Sequence, residues 1–166
     1  RAYPGGLRPV QELAAWAEGT ALAAALRRSG HLYMVVNATH ILGVALLLGA
    51  IVPLDLRLVG IVRGGALRVL APFLSRAAGM GLAITLATGP VLWSVAARDY
   101  LANAAFRWKI ALIALGLLVV ALQHAGKGWR QAVETGTPGL DARILAALSL
   151  AIWLSVLLAG RWIGFL

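Results

Sequence analysis

The sequence predicts an all-α integral membrane protein: a four-transmembrane-helix bundle preceded by an N-terminal amphipathic interfacial helix. Three observations carry this. The chain of 166 residues is 61% apolar and only 13% charged, against about 25% charged in a soluble domain. Its mean hydropathy is +0.85. Several apolar runs also reach the roughly 20 residues a helix needs to cross the hydrocarbon of a bilayer.

Residues 1–30 form an N-terminal segment, and residues 31–166 the transmembrane domain. Pro9 suits the first turn of a helix, and Val10, Leu13, Ala14 and Ala17 share one face of it, with Glu12 and Glu18 off that face. Gly19 and Thr20 interrupt the pattern, so the interfacial helix is expected in one or two pieces, ending at Arg27–Gly30. The chain starts at Arg1, so an initiator or short leader is expected before it. Residues 1–30 hold no apolar core followed by a small-residue cleavage site.

The first span is expected at about 32–54, stopping at "PLDLRL", where Asp55 and Arg57 would meet headgroups. The linker that follows carries Arg57, Arg63 and Arg68 and is read as a surface segment. The second span is expected at about 77–97, the third at about 106–125 and the fourth at about 142–165. "GKGWRQAVETGTPGLDAR" between the last two is the most polar, turn-rich stretch. Ala77, Gly81, Thr85 and Gly89 recur every four residues in the second span, as do Ala147, Ala151, Ser155 and Ala159 in the fourth. Such stripes let membrane helices approach closely, so both are read as packing faces.

The net charge of +9 comes from arginines and lysines flanking apolar runs. Anionic headgroups account for that arrangement, and nucleic acid is not an expected partner. One set of span ends collects Arg27, Arg28, Arg98, Arg107, Lys109 and Arg161; the other collects Arg57, Arg63, Arg68, Arg76, Lys127, Arg130 and Arg143. This near balance gives a weak preference for both termini on the periplasmic side of a bacterial inner membrane. The absence of cysteine excludes zinc thiolates, Fe–S clusters, disulfides and thioether-linked haem. No carboxylate is expected within a span, so carboxylate-based proton pumping lacks its parts, and no catalytic constellation can be assembled.

Histidine is the residue type left for cofactor chemistry, because membrane b-type haems are held by imidazoles. His40 and His124 are the candidate ligands, but they do not form one pair. The spans that carry them run the same way. His40 lies about 12 Å into its helix and His124 about 27 Å into its own, at 1.5 Å per residue. At the level of His124 stands Met80, a His/Met option. His31 precedes His40 by nine residues and reaches the same iron only if the chain folds back at Gly30; otherwise a partner chain must supply the ligand. Arg107, Lys109 and Arg161 are cations suited to haem propionates or an anionic quinone pocket, with Trp108, Trp153 and Trp162 as lining candidates. Arg161 also has the option of pairing with Asp99. His40 itself has three readings: a structural contact with Asn37 or across the bundle, a haem or metal ligand, or a proton or substrate relay.

At "HILGVALLLGAIVPLDLRLVG", "DYLANAAFRWKIALIALGLL" and "LSLAIWLSVLLAGRWIGFL" the chain resembles a family of small bacterial inner-membrane proteins, a domain of unknown function with four spans. The resemblance covers residues from about Leu22 onward and includes His40, Asp55-Leu56-Arg57, Phe106, Lys109, His124 and Arg161. The layout is similar to that of four-helix b-type cytochromes and copper-resistance D membrane proteins, which implies a redox role by architecture. The expected function is a small membrane subunit of a redox complex that binds b-type haem or quinone and relays electrons between a periplasmic partner and the membrane. Its partners would be the lipid bilayer and other membrane or periplasmic subunits, or further copies of itself. The alternatives are a non-catalytic scaffold and, more weakly, a transporter or channel subunit. A stand-alone enzyme is not the leading expectation.

Overall fold

The computed structural model describes residues 8–64 and 66–165; the first seven residues of the expected N-terminal segment lie outside them. Among the described residues eight α-helices follow one another: α1 (Arg8–Gly19), α2 (Ala21–Arg28), α3 (Gly30–Val59), α4 (Leu67–Trp93), α5 (Ala97–Ala102), α6 (Ala104–Ala125), α7 (Lys127–Thr135) and α8 (Leu140–Trp162). A short 3-10 turn, Ile163–Phe165, closes the described chain, and no strand occurs among the described residues. Four helices, α3, α4, α6 and α8, are long and apolar enough to cross a membrane. Between 17% and 28% of the most apolar stretch of each is buried inside the protein, so most of that surface is left for lipid. This is a multi-pass membrane bundle.

The bundle is two hairpin-like pairs, α3 with α4 and α6 with α8, joined where α3 meets α8. Lipid tails are as apolar as leucine, so close backbone approach rather than water exclusion must hold such pairs together. The α3–α4 crossing shows how. A Cβ added at Gly81 would strike the backbone nitrogen of Leu47 and come within 2.7 Å of the Gly43 carbonyl. One added at Gly43 would meet Ile84 at 2.8 Å and Thr85 at 3.0 Å. The small-residue stripe of the second span is therefore a packing face at Gly81 and Thr85. The stripe of the fourth span is not one within this chain. Ala147, Ala151 and Ser155 are exposed, and α8 buries Ala142, Ala146, Ser149, Ile152 and Trp153 instead. That face adds Ile152 and Trp153 to its small residues, and Trp153 packs on Gly116 of α6.

Helix ends also differ from the sequence expectation. The first span continues past Pro53 to Val59, because Leu54 and Leu58 are buried on the core side and carry the helix onward. Pro53 forfeits one backbone bond, a loss membrane helices tolerate when packing supports them. The stop is Gly60, whose φ of 96° supplies the left-handed cap that glycine adopts without strain. The second span starts ten residues before its expected 77, at Leu67, since Leu67 and Ala71 are buried. It ends at Trp93, ahead of 97. The polar stretch after α6 forms α7, whose Trp129 and Ala132 pack beneath α4 and α8. The Gly128 amide donates to Asp141 Oδ2 at 3.0 Å, fixing α7 against the start of α8.

At the other end, the N-terminal helix is indeed in two pieces, separated at Thr20, whose hydroxyl accepts from the Ala23 amide. The expected apolar face of α1 divides. Ala14 and Ala17 pack on Ala97 of α5, whereas Val10, Leu13 and Trp16 stay exposed. Glu18 accepts from the Arg98 amide at 2.8 Å and from Arg98 Nε at 2.6 Å, which pins α1 to α5. Asn103 closes α5 and opens α6, its Oδ1 accepting from the amides of Ala105 and Phe106. Its amide nitrogen donates to the Ile163 carbonyl at 3.3 Å.

Candidate functional site

His40 faces α4 from the first turns of α3 and is half-buried. Its Nδ1 lies 2.8 Å from Thr88 Oγ1, and the Thr88 hydroxyl in turn donates to the Ile84 carbonyl at 2.7 Å. A hydroxyl has one proton to give. Since Thr88 spends it on Ile84, it must accept from His40, so Nδ1 carries the proton. Nε2 is then a free lone pair held in a fixed direction. This is how a metal-binding imidazole is usually oriented, with the second nitrogen's partner setting tautomer and ring plane. Gly89 lies beside the ring, where a Cβ would stand in ordinary van der Waals contact, 3.6 Å from His40 Cε1.

Of the expected cations, Lys109 reaches this region. It is half-buried, and its chain lies along Gly160 of α8, where an added Cβ would be 3.4 Å from Nζ. Arg107 is turned away and donates to the carbonyls of Leu101 and Ala102 at 3.0 and 3.1 Å, capping the end of α5. Arg161 does not pair with Asp99; its guanidinium stacks 4.7 Å above the Phe165 ring. Trp153 is in the core, and Trp108 and Trp162 are exposed. Asn37 has no hydrogen-bond partner among the described residues, so the contact that holds His40 is the one across to α4. His31 is exposed at the start of α3.

His124 is in the opposite state. Its Nδ1 is 2.8 Å from the Val120 carbonyl, which can only accept, so Nδ1 again bears the proton. Its Nε2 is 2.7 Å from Ser75 Oγ and accepts that hydroxyl in the neutral ring. Both nitrogens are occupied, and Trp129 packs on the ring at 4.7 Å between centroids. Met80 is exposed and stands five residues past Ser75, roughly 140° around α4 at 3.6 residues per turn. The structure does not bring it to His124.

Helix α4 serves as a ruler for the two histidines. His40 docks at Thr88 and His124 at Ser75, thirteen residues apart, or about 20 Å at 1.5 Å per residue. A single iron cannot span that. Nor do three His, Asp or Glu side chains converge on a metal position among the described residues.

Asp55 corrects the sequence reading. It was expected among headgroups, yet the continuation of α3 places it inside the bundle at 3% exposure. Gln123 of α6, at 8% exposure, and Ser149 of α8, at 4%, lie beside it. The three share a cavity of about 20 Å³ with Val119, His124 and Trp129. Gln123 Nε2 donates to the Ala142 carbonyl at 3.3 Å, whereas Asp55 Oδ2, Gln123 Oε1 and Ser149 Oγ have no partner. A signal for this was present in the sequence: Gly60 is a better helix stop than Pro53, and Asp55 lies between Leu54 and Leu58 at helical spacing.

No curated protein and no solved structure matches the chain. A family model does, over residues 13–166, which takes in all four spans, His40 and Asp55. The chain therefore belongs to DUF6644, a family of unknown function.

Proposed function

We propose that this chain is a small subunit of a redox assembly in the bacterial inner membrane, holding a b-type haem or a quinone at His40 and relaying electrons between a periplasmic partner and the membrane. The observation that supports it is the oriented His40 with a free Nε2, set in a membrane helix. A neutral imidazole nitrogen is a ligand for haem iron and equally an acceptor for a quinol hydroxyl. Thr88 holds the ring, and Lys109 offers positive charge to a propionate or a quinone oxygen. The bound group would supply the electron-carrying chemistry, and the protein its position and electrostatics. With both nitrogens of His124 occupied and His31 exposed, any further protein ligand would come from a partner subunit or a second copy. Termini on the periplasmic side would place His40 near the periplasmic partner.

The test is a reduced-minus-oxidised visible spectrum of the protein in mild detergent, with organic extraction of the same sample for quinone. Sharp α and Soret bands, or a stoichiometric quinone, lost in His40→Ala and retained in His124→Ala, are the expected result. A colourless, quinone-free protein, or a cofactor indifferent to His40, would overturn the reading in favour of the scaffold role.

A further inference from the structure

The cavity between Asp55, Gln123 and Ser149 is a second site, at the α7 end of the bundle, about 20 Å from His40. Its three unpartnered atoms are a carboxylate oxygen, an amide oxygen and a hydroxyl. Orphan polar atoms in native interiors call for an explanation, and three around one cavity call for a ligand. The volume of about 20 Å³ admits one water, which needs roughly 10–15 Å³. That water can accept from Ser149 and donate to Gln123 Oε1 and Asp55 Oδ2. Hydrogen bonding is then complete, but the charge on Asp55 is not.

Among the described residues, no lysine or arginine lines the cavity. The cavity wall comes from α3, α6, α7 and α8, and His124 is the one other titratable group in it. The basic groups on the packed helices look elsewhere. Arg68 and Arg76 of α4, Lys127 and Arg130 of α7, and Arg143 of α8 are exposed. Arg57 of α3 donates to the Gly64 carbonyl at 2.9 Å. Among acids, Asp141 is engaged with the Gly128 amide, and Glu134 is exposed. A lone carboxylate in such surroundings is strongly disfavoured and neutralises instead.

We infer that Asp55, Gln123 and Ser149 form an intramembrane proton-binding site, in which Asp55 is held as the neutral acid and exchanges its proton with the α7-side surface past His124. Loading is a plain acid–base step: a hydronium O–H bond breaks, an O–H bond forms on the Asp55 carboxyl, water is released, and no electron moves. The neutral acid also adds a donor to a cavity whose unpartnered protein atoms otherwise supply only the Ser149 hydroxyl. His124, exposed yet part of the cavity wall, is the polar edge through which the site meets solvent. This site does not depend on a cofactor at His40.

Infrared spectroscopy of the whole protein in lipid vesicles tests it, and the sequence makes the assignment simple because it contains only six Asp and Glu residues. At neutral pH and in sodium-free buffer, the expected result is one carbonyl stretch of a protonated carboxylic acid. It should shift down on transfer to D2O and disappear in Asp55→Asn. If that variant does not fold, carbon-13 aspartate in the unmutated protein must shift the band. Gln123→Leu and Ser149→Ala, which keep the acid but remove its neighbours, must raise its frequency. No such band at neutral pH, a band insensitive to aspartate labelling, or one that ignores D2O would overturn the inference. A band abolished by added sodium would also overturn it, because the site would then take a metal cation in place of the proton.

Discussion

His40 and His124 both reach across to a hydroxyl on α4, at Thr88 and Ser75, and the two contacts leave the rings in different conditions. Thr88 is committed to the Ile84 carbonyl, so it can only accept from His40, and one nitrogen of that ring stays open. Ser75 has its proton to give, and with Val120 taking the other nitrogen, His124 is closed. The same residue pair, histidine with hydroxyl, thus yields a potential ligand at one end of the bundle and a helix clamp at the other. What decides is where the hydroxyl's own proton goes.

The sharpest way to break this comparison is to remove each ring in turn. His40→Ala is expected to abolish the bound haem or quinone, read from the visible spectrum and the extracted quinone, whereas His124→Ala leaves both in place. Next in size is a change that touches neither ring. Gly81→Val drives a side chain into the α3 backbone and is expected to cost at least about 1–3 kcal/mol, the usual range for overpacking, in thermal unfolding in detergent. It should also weaken cofactor retention, because the crossing at Gly81 and Gly43 sets how His40 meets Thr88.

Thr88→Val keeps the shape and deletes the acceptor. Losing an outer partner of this kind typically weakens ligation by ~10–100-fold, which a cofactor titration of the purified protein would register. Ser75→Ala is the matching control at the closed ring. It should lower stability by about 1 kcal/mol, a common value for one hydrogen bond, and leave the cofactor titration unchanged.

The smallest effect lies outside the spans. The amide and side chain of Arg98 hold the Glu18 carboxyl below its ordinary value. A lowered value in the folded state means that its contribution is complete above the ordinary glutamate range and is lost as the pH falls through the lowered one. The pair is exposed on the Arg98 side, so the gain is modest. Hydrogen exchange of the α1 amides should rise on acidification through that window, and Glu18→Gln should flatten the response.

The fold was legible because spanning a bilayer demands long apolar runs, and four such runs stand in the sequence. Their ends were harder to read. Pro53 looks like a stop, and Arg68 looks like a surface linker, but buried Leu54, Leu58 and Leu67 outweigh both. Small-residue spacing identified Gly81 and Thr85 as a packing face and misidentified Ala151 and Ser155, because periodicity groups residues on one face without saying what covers it. The separation in depth of His40 and His124 could be counted from sequence. The open and closed states of their rings could not, since these depend on Thr88, Ser75 and Ile84 in a neighbouring helix. Asp55 was missed as a consequence of misplacing one helix end by five residues, from 54 to 59.

Asn103 has a wider reach than its two caps suggest. Its bond to the Ile163 carbonyl closes a loop of sixty positions that contains α6, α7 and α8, so the second half of the bundle is latched by the turn that follows α8. In biogenesis, that latch cannot fasten until α8 has been made and inserted. A chain truncated just before Ile163 would then keep the four membrane-crossing helices α3, α4, α6 and α8 and the α6–α8 packing, and lose the bond that ties the start of α6 to the turn after α8.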